Sequence, residues 1–393
     1  MAGMKAAVFV GVGIFPHRVS DDKNFLLDLS THLRTHNIET SFVSIVNVDH
    51  PPQAEGYTFV KRAMHKSSDR YVRRDERGRI LGYRHPHGTA RTVIELASTL
   101  VAERHTIQAV LRRYDRAVVH WMDSSLTMPA VRAVCGEQHK YVTSVFRYLP
   151  ASRAARTLRA LALKGADRVF AGTQAARERL IQDGCAEDRV MVEPWGCAAQ
   201  NEDRPVQKAD NGTRVRLLWS GFLKQIGRAD LLKTLALAQR VRKRRPDIHF
   251  TFSLKPECFS EEFKAFEAPG IELRSGGRSF LADLERYDAF LSPVSEGKSP
   301  PAPPLTWLEA MAVGVPVITT AHPGVNEVIA DRVSGIVAPD YEGLEMRLLE
   351  IGLKGKLQAM KQKARDQHLH RYEIRGVAAR YADVYHQLLS EKR

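Results

Sequence analysis

The sequence predicts an α/β fold made of two doubly wound, Rossmann-like domains. Three observations carry this expectation. Short apolar stretches of strand length recur along the chain, and between them apolar residues fall at helical spacing. The alternation runs in two series, one on each side of the polar segment 199–214, AQNEDRPVQKADNGTR, which contains proline and glycine and no apolar periodicity. The 393 residues suffice for two domains that each bury a core. Strands joined through helices pair in parallel, and such sheets bind ligands at the carboxyl ends of their strands.

Composition narrows the class. With 44% hydrophobic and 26% charged residues, the chain reads as an ordinary soluble globular protein. Cys135, Cys185, Cys197 and Cys258 are widely separated and include no Cys-x-x-Cys pair, which argues against a disulfide framework or zinc cluster and for a reducing compartment. The start, MAGMKAAVFVGVGIF, places a lysine before an apolar run. No small-x-small cleavage site follows, and Pro16, His17 and Arg18 come next, so the run reads as a first strand. No apolar run approaches the roughly 20 residues that span a bilayer. A net charge of +14 favours anionic partners.

In the first series, Lys5 to Val10 reads as a buried strand. Gly11, Val12 and Gly13 follow, and either admit a phosphate to backbone amides or form a plain tight turn. Phe25, Leu26, Leu29 and Leu33 predict a helix over about Lys23 to Thr35, and SFVSI a strand after it. In RYVRRDERGRILGYRH, two alternating arms flank Asp75-Glu76-Arg77-Gly78 as in a hairpin. Tyr57 to Arg91 holds ten Lys or Arg against three acids, half of the net charge. Arginines interleaved with Tyr71 and Tyr83 suit a phosphate or a stacked ring, and equally suit a solvated edge strand. A long helix is expected from Thr92 to Arg113 and a strand from Arg116 to His120. His120, at a strand end, is either a hydrogen-bonded structural residue or a cleft residue. Ala151 to Lys164 is a basic helix with Arg153, Arg156 and Arg159 opposite Leu158 and Leu161, and Leu163 on the basic side. Such a face either lies on an anionic membrane surface or stays solvated.

The second series opens with VRLLWSGFLKQIGRADLLKTLALAQRV, read as strand, turn and helix. Lys224 and Arg228 stand near the helix start, whose amino end attracts phosphate. Arg240 to Arg245 ends that helix, where cations suit the dipole. Strands follow at His249 to Leu254 and Ile271 to Arg274. Then an apolar strand, Ala289 to Pro293, enters a loop carrying Glu296. A helix with Glu309 and an apolar flank of Leu305, Leu308, Ala312 and Val313 ends at Gly314, and Val315 to Thr319 forms a short strand. Helical segments run to the end, the last over Val377 to Leu389.

LEAMAVGVPVITT, then PGVNEVI, then SGIVAP, in this order, resembles the donor-binding half of the retaining glycosyltransferases of family four. The resemblance covers residues 105–390 well and the first hundred poorly. It implies the GT-B fold, two Rossmann-like domains facing a central cleft, with residues 1–200 on the acceptor side including a basic hairpin insertion at about 57–91. A linker at 201–214, a donor-binding domain at 215–374 and a closing helix at 375–393 that crosses back to the first domain complete this organisation. It also implies transfer of a sugar from a UDP- or GDP-sugar to an acceptor with retention, without a metal or other cofactor. Donor contacts would come from Gly221, Lys224, Arg228, Glu296, Leu305, Thr306 and Glu309, with Glu309 on the ribose. His120 and Glu296 would stand at the reacting centre, and Asp22, Lys23, Arg73, Arg74 and Arg147 on the acceptor side.

The sequence departs from that family at several of these places. Twelve residues rather than seven separate Glu296 from Glu309, in a loop rich in proline (Pro300, Pro301, Pro303 and Pro304), and a proline stands where the family usually has a loop glycine. Phe222 and Gly227 occupy the positions of the diphosphate-binding arginine and lysine, Val118 and Phe146 those of two histidines, and Trp195 that of an asparagine. Ser20, Asp21 and Asp22 replace paired glycines. Three other readings follow from these departures and from the charge: a nucleotide-sugar 2-epimerase, a non-catalytic or partner-dependent GT-B protein, and a basic nucleic-acid binder, the last without any recognised binding motif. The expected place of work is the cytoplasm, with contact at the inner membrane surface as a further expectation, and no nucleic acid as a partner.

Overall fold

The computed structural model describes residues 5–12, 14, 21–46, 53–61, 72–74, 80–83, 89–122, 125–145, 153–198, 213–221, 228–254, 261–275, 284–295, 303–350 and 352–391. The chain divides into two compact units: Met1–Phe146, Ala151–Trp195 and Ile374–Arg393 form one, Arg147–Pro150 and Gly196–Glu373 the other. Both are α/β with parallel sheets, the class expected from the alternating pattern.

The first unit contains β1 (Lys5–Val12), α1 (Asp21–Leu33), β2 (Ile38–Val46), β3 (Tyr57–Lys61), β4 (Val72–Arg74), β5 (Ile80–Tyr83), α2 (Thr89–Ala102), α3 (Arg104–Leu111), β6 (Ala117–Trp121), α4 (Met128–Cys135), β7 (Lys140–Val145), α5 (Arg153–Leu163), β8 (Arg168–Ala171), α6 (Gln174–Gln182) and β9 (Val190–Val192). The second contains β10 (Val215–Gly221), α7 (Arg228–Arg244), β11 (Ile248–Leu254), β12 (Ile271–Ser275), β13 (Ala289–Leu291), α8 (Leu305–Ala312), β14 (Val317–Thr320), α9 (Val325–Val328), β15 (Gly335–Ala338), α10 (Tyr341–Leu349) and α11 (Leu353–Arg371). The last helix, α12 (Ile374–Ser390), belongs to the first unit.

Strand order in the first sheet is β3-β2-β1-β6-β7-β8-β9, and in the second β12-β11-β10-β13-β14-β15. Every pairing in these two sheets is parallel. All of β6 and β13 is buried. Strands without polar alternation need cover on both faces, and helices supply it. In the first unit α1 and α12 pack together, while α4 packs against α2, α3 and α5. In the second sheet the order reverses between β10 and β13, which makes their carboxyl ends the switch point where such sheets bind ligands.

Three local expectations are revised. The long helix of residues 92–113 is α2 and α3 meeting at Glu103, yet Glu103 N–H still donates to Thr99 O (2.9 Å) and Ile107 N–H to Glu103 O (3.0 Å), so the bonding continues across the break. Residues 57–61, read as part of the basic insertion, form the edge strand β3, anchored by stacked rings: Phe9 on Phe42 at 5.5 Å and Phe42 on Tyr57 at 4.5 Å. The hairpin arms do pair as β4 and β5, with an irregularity between Arg73 and Arg74. On α5, Leu163 is buried while Leu158 and Leu161 are exposed.

His120, expected at the reacting centre, requires a correction. Its ring is fully buried, with Nδ1 2.6 Å from Tyr385 Oη and Nε2 2.8 Å from Ser144 Oγ. Phe9, Phe170 and Tyr381 surround it, their ring centroids 5.6, 5.7 and 6.1 Å away. A histidine with both nitrogens engaged and no exposed ring atom joins β6 to β7 and α12 and serves packing. Burial lowers its pKa to about 3, so it stays neutral. The unfolded chain takes up a proton near pH 6.5 that the folded chain refuses until about pH 3. This contribution to stability is therefore lost as pH falls through that window, by an amount on the order of a few kcal/mol. His368, lowered to about 4, acts in the same direction. We predict that His120→Gln is less stable by about 1–3 kcal/mol at pH 7.5 and loses less further stability on acidification than the unmutated protein. Urea unfolding at a series of pH values checks this, and equal acid slopes would contradict it.

Candidate active site

The site is built from the chain leaving β13. Beyond Leu291 the strand ladder continues through side chains. Ser292 N–H donates to Ile318 O (2.8 Å), and Thr319 Oγ1 donates to Ser292 O (2.7 Å). The Thr320 hydroxyl accepts from Val294 N–H (2.8 Å) and donates to Val294 O (2.5 Å). Both threonines are buried, so the backbone groups of Ser292 and Val294 are satisfied where water is excluded. The chain is thereby delivered to Ser295 at the switch point. Glu296 follows and lies outside the described residues, as do Lys224 and Arg147, and with them Phe222, Gly227 and Phe146. Gly221 closes β10 opposite Leu254. Asp22 and Lys23 lie in the first turn of α1, and Arg73 and Arg74 on β4; their side chains are outside the described set.

Helix α8 is apolar almost all round. Leu305, Trp307, Leu308, Ala310, Met311 and Ala312 are buried, and only Thr306 and Glu309 are partly open. Three residues apart, these two share one helical strip. Pro304 caps the helix with extended backbone and no side-chain hydrogen bond; its carbonyl accepts from Trp307 N–H at 3.0 Å. The N–H groups of Leu305 and Thr306 open the helix, where no intrahelical acceptor exists and the dipole is positive. Beside it, the His322 ring lies 5.5 Å from that of Trp307. His322 Nδ1 is 3.1 Å from Pro323 O, and a carbonyl only accepts, so Nδ1 carries the proton. Burial lowers the His322 pKa, leaving Nε2 a buried acceptor.

A polar cluster ties the switch point together. Arg228 begins α7 with an exposed guanidinium paired to Glu262. Such exposed pairs are worth about 0–1 kcal/mol, so the guanidinium exchanges partners at little cost. Asp230, two residues further along the same helix, is buried and accepts a hydrogen bond from Ser295 Oγ. Lys233 Nζ stands 3.5 Å from Ser295 Oγ and 5.9 Å above the Tyr341 ring. Tyr341 Oη lies 3.3 Å from Thr234 Oγ1 and donates to Asp230 O at 3.4 Å. Burial pushes the Tyr341 hydroxyl up to about 12, which keeps it neutral. Three segments thus converge: the start of α7, the chain after β13, and the start of α10. An anion at the amino end of α7 would meet a helix dipole and the exposed Arg228 guanidinium.

Of the residues expected at the donor side, the structure therefore describes Gly221, Arg228, Leu305, Thr306 and Glu309, all on elements that start or end at the carboxyl edge of the second sheet. Asp230, Ser295, Tyr341 and His322 were not singled out. An acid in a first helical turn reads as a dipole complement, and nothing in the string ADLLKTL signals that it is buried beneath a serine from another segment.

Residues 216–352 match the family described as Glycosyl transferases group 1. No curated protein matches the chain. Among solved structures, a glycosyltransferase from Rickettsia africae is 12% identical, with 99% of this chain and 100% of that one covered at a TM-score of 0.66. Sucrose-phosphate synthase from Thermosynechococcus elongatus is 13% identical over 98% and 99% of the two chains, at 0.69. HepE from Anabaena, in complex with UDP-glucose, is 11% identical over 97% and 99%, at 0.63. These likenesses show the fold, which is GT-B.

The cluster yields a prediction. Asp230→Ala should cost about 1–3 kcal/mol, because it leaves the half-buried Ser295 hydroxyl without its carboxylate acceptor, and should speed amide hydrogen exchange at Val294 and Ser295. Exchange unchanged at those amides would show that Asp230 does not hold the segment.

Proposed function

We propose that the protein is a retaining glycosyltransferase that takes a sugar from a UDP- or GDP-sugar and passes it to an anionic acceptor, without a metal or other cofactor, in the cytoplasm. The observation that carries this reading is the strip of Thr306 and Glu309 on the otherwise buried α8, inside the stretch that matches the group 1 glycosyl transferases. The complex of HepE with UDP-glucose supports a uridine donor.

In this reading, bond cleavage at the anomeric carbon leaves negative charge on the diphosphate. Fixed positive groups stabilise that charge most when water is excluded. Lys224, Arg228 and the amides of Leu305 and Thr306 supply them, Gly221 lets the backbone approach, and Glu296 holds sugar hydroxyls. The Glu309 carboxylate accepts from the ribose hydroxyls. His120, closed in its core, takes no part in bond cleavage. Asp22, Lys23, Arg73, Arg74 and Arg147 are assigned to acceptor binding, and the excess of +14 suits an acceptor of negative charge.

Titration calorimetry with UDP and GDP tests the donor site. Glu309→Ala should weaken nucleotide affinity by about tenfold to a hundredfold, the loss expected for hydrogen bonds to a charged group. Unchanged affinity would remove Glu309 from the site. Isomerised donor sugar formed without any acceptor would instead assign the chemistry to a 2-epimerase.

A further inference from the structure

The solvent side of one helical layer in the first unit differs from an ordinary helix surface. Helices α2 and α5 flank α4, which touches both. Ile94 (59% exposed) and Val101 (55%) stand on α2, seven residues apart and so on one stripe; Leu158 (58%) and Leu161 (53%) stand on α5. Between them α4 exposes Pro129 and Ala133. Seven large hydrophobic side chains are exposed among the described residues, and four of them lie on this layer. Surface helices normally turn charge outward. Here the single carboxylate of the three helices, Glu95, is 1% exposed, in a chain with 45 acidic residues.

Cations are plentiful in the same helices: α2, α4 and α5 hold five arginines, and exposed Lys164 follows α5. Exposed Arg189 donates to Lys164 O at 3.0 Å, which adds a second charge at that end. The seating of α5 explains the apolar face. Arg156 is drawn to within 3.7 Å of the sheltered Asp183 carboxylate, and Ala160, Ala162 and Leu163 are buried. That orientation turns Leu158 and Leu161 outward.

We propose that the outer face of α2, α4 and α5 docks on a bilayer containing anionic lipid. Charge selects this occupant. A second copy would press two faces without exposed carboxylates together, in a chain of net charge +14, whereas an anionic leaflet attracts such a face. Ile94, Val101, Leu158 and Leu161 enter the headgroup boundary, and Lys164 and Arg189 reach lipid phosphates. The inference is independent of the donor site and stands if nucleotide binding fails.

Flotation of the full chain with vesicles tests it. The protein should bind vesicles of equal parts phosphatidylglycerol and phosphatidylcholine and leave pure phosphatidylcholine unbound. Leu158→Glu with Leu161→Glu should weaken that binding by about tenfold or more, with an unchanged melting temperature because both side chains are already exposed. Met346→Glu, at an exposed apolar residue of the second unit, should bind like the unmutated protein. Three results would overturn the proposal: no binding to the anionic vesicles, equal binding by the double variant, or equal loss in Met346→Glu. A dimer in solution that the double variant converts to a monomer, without vesicle binding by either, would assign the face to a second copy and also overturn it.

Discussion

The candidate site depends on two hydroxyl groups. Sheet pairing along β13 ends after three residues, but the chain must continue through a buried zone to the switch point. Thr319 and Thr320 make this feasible by giving Ser292 and Val294 the hydrogen bonds that a longer strand would have supplied. A buried backbone group left without a partner costs about 1–3 kcal/mol, so the threonines decide the path. From that fixed path follow the Ser295 contact with Asp230, the approach of Lys233 and Tyr341, and the position from which the chain sets out toward α8. Packing, hydrogen bonding and the geometry of the proposed donor site are thus links in one sequence of causes.

The polar groups of the two units show what separates a structural residue from a candidate ligand contact. His120 sits at a strand's carboxyl end, as ligand-binding residues do, yet Ser144 and Tyr385 satisfy both of its nitrogens. In α8 the buried surface is complete except for Thr306 and Glu309, so an element that could have been wholly core keeps one polar strip open. His322 falls between these cases: one nitrogen engages the Pro323 carbonyl, and the other is buried with no hydrogen-bond partner among the described residues.

Much of the architecture was legible because strands buried on both faces show as continuous apolar runs. VRLLWSG, IHFTFSL and AFL each emerge as strands within a residue or two of the periodicity estimate. The edge strand β3 was hidden, since the aromatic stack through Phe9, Phe42 and Tyr57 joins residues far apart in the chain. Orientation was harder than existence. Helix α5 was foreseen, but its arginines suggested an outward basic face; the pull of Asp183 on Arg156, from a different helix, reversed which side meets solvent. Glu309 and Arg228 can be proposed from sequence because their motif or helix start is local, whereas Asp230, Ser295 and Tyr341 form one cluster only after folding brings three segments together.

On the proposed function, the carboxyl edge of the second sheet holds a nucleoside diphosphate. Ligand that binds only the folded state raises stability by mass action, by about 2.7 kcal/mol at a hundredfold excess over Kd. Melting temperature measured against UDP, GDP, ADP and TDP is the most direct measurement. One of UDP or GDP should raise it in a concentration-dependent way, and no shift with any of the four at millimolar concentration would contradict the claim.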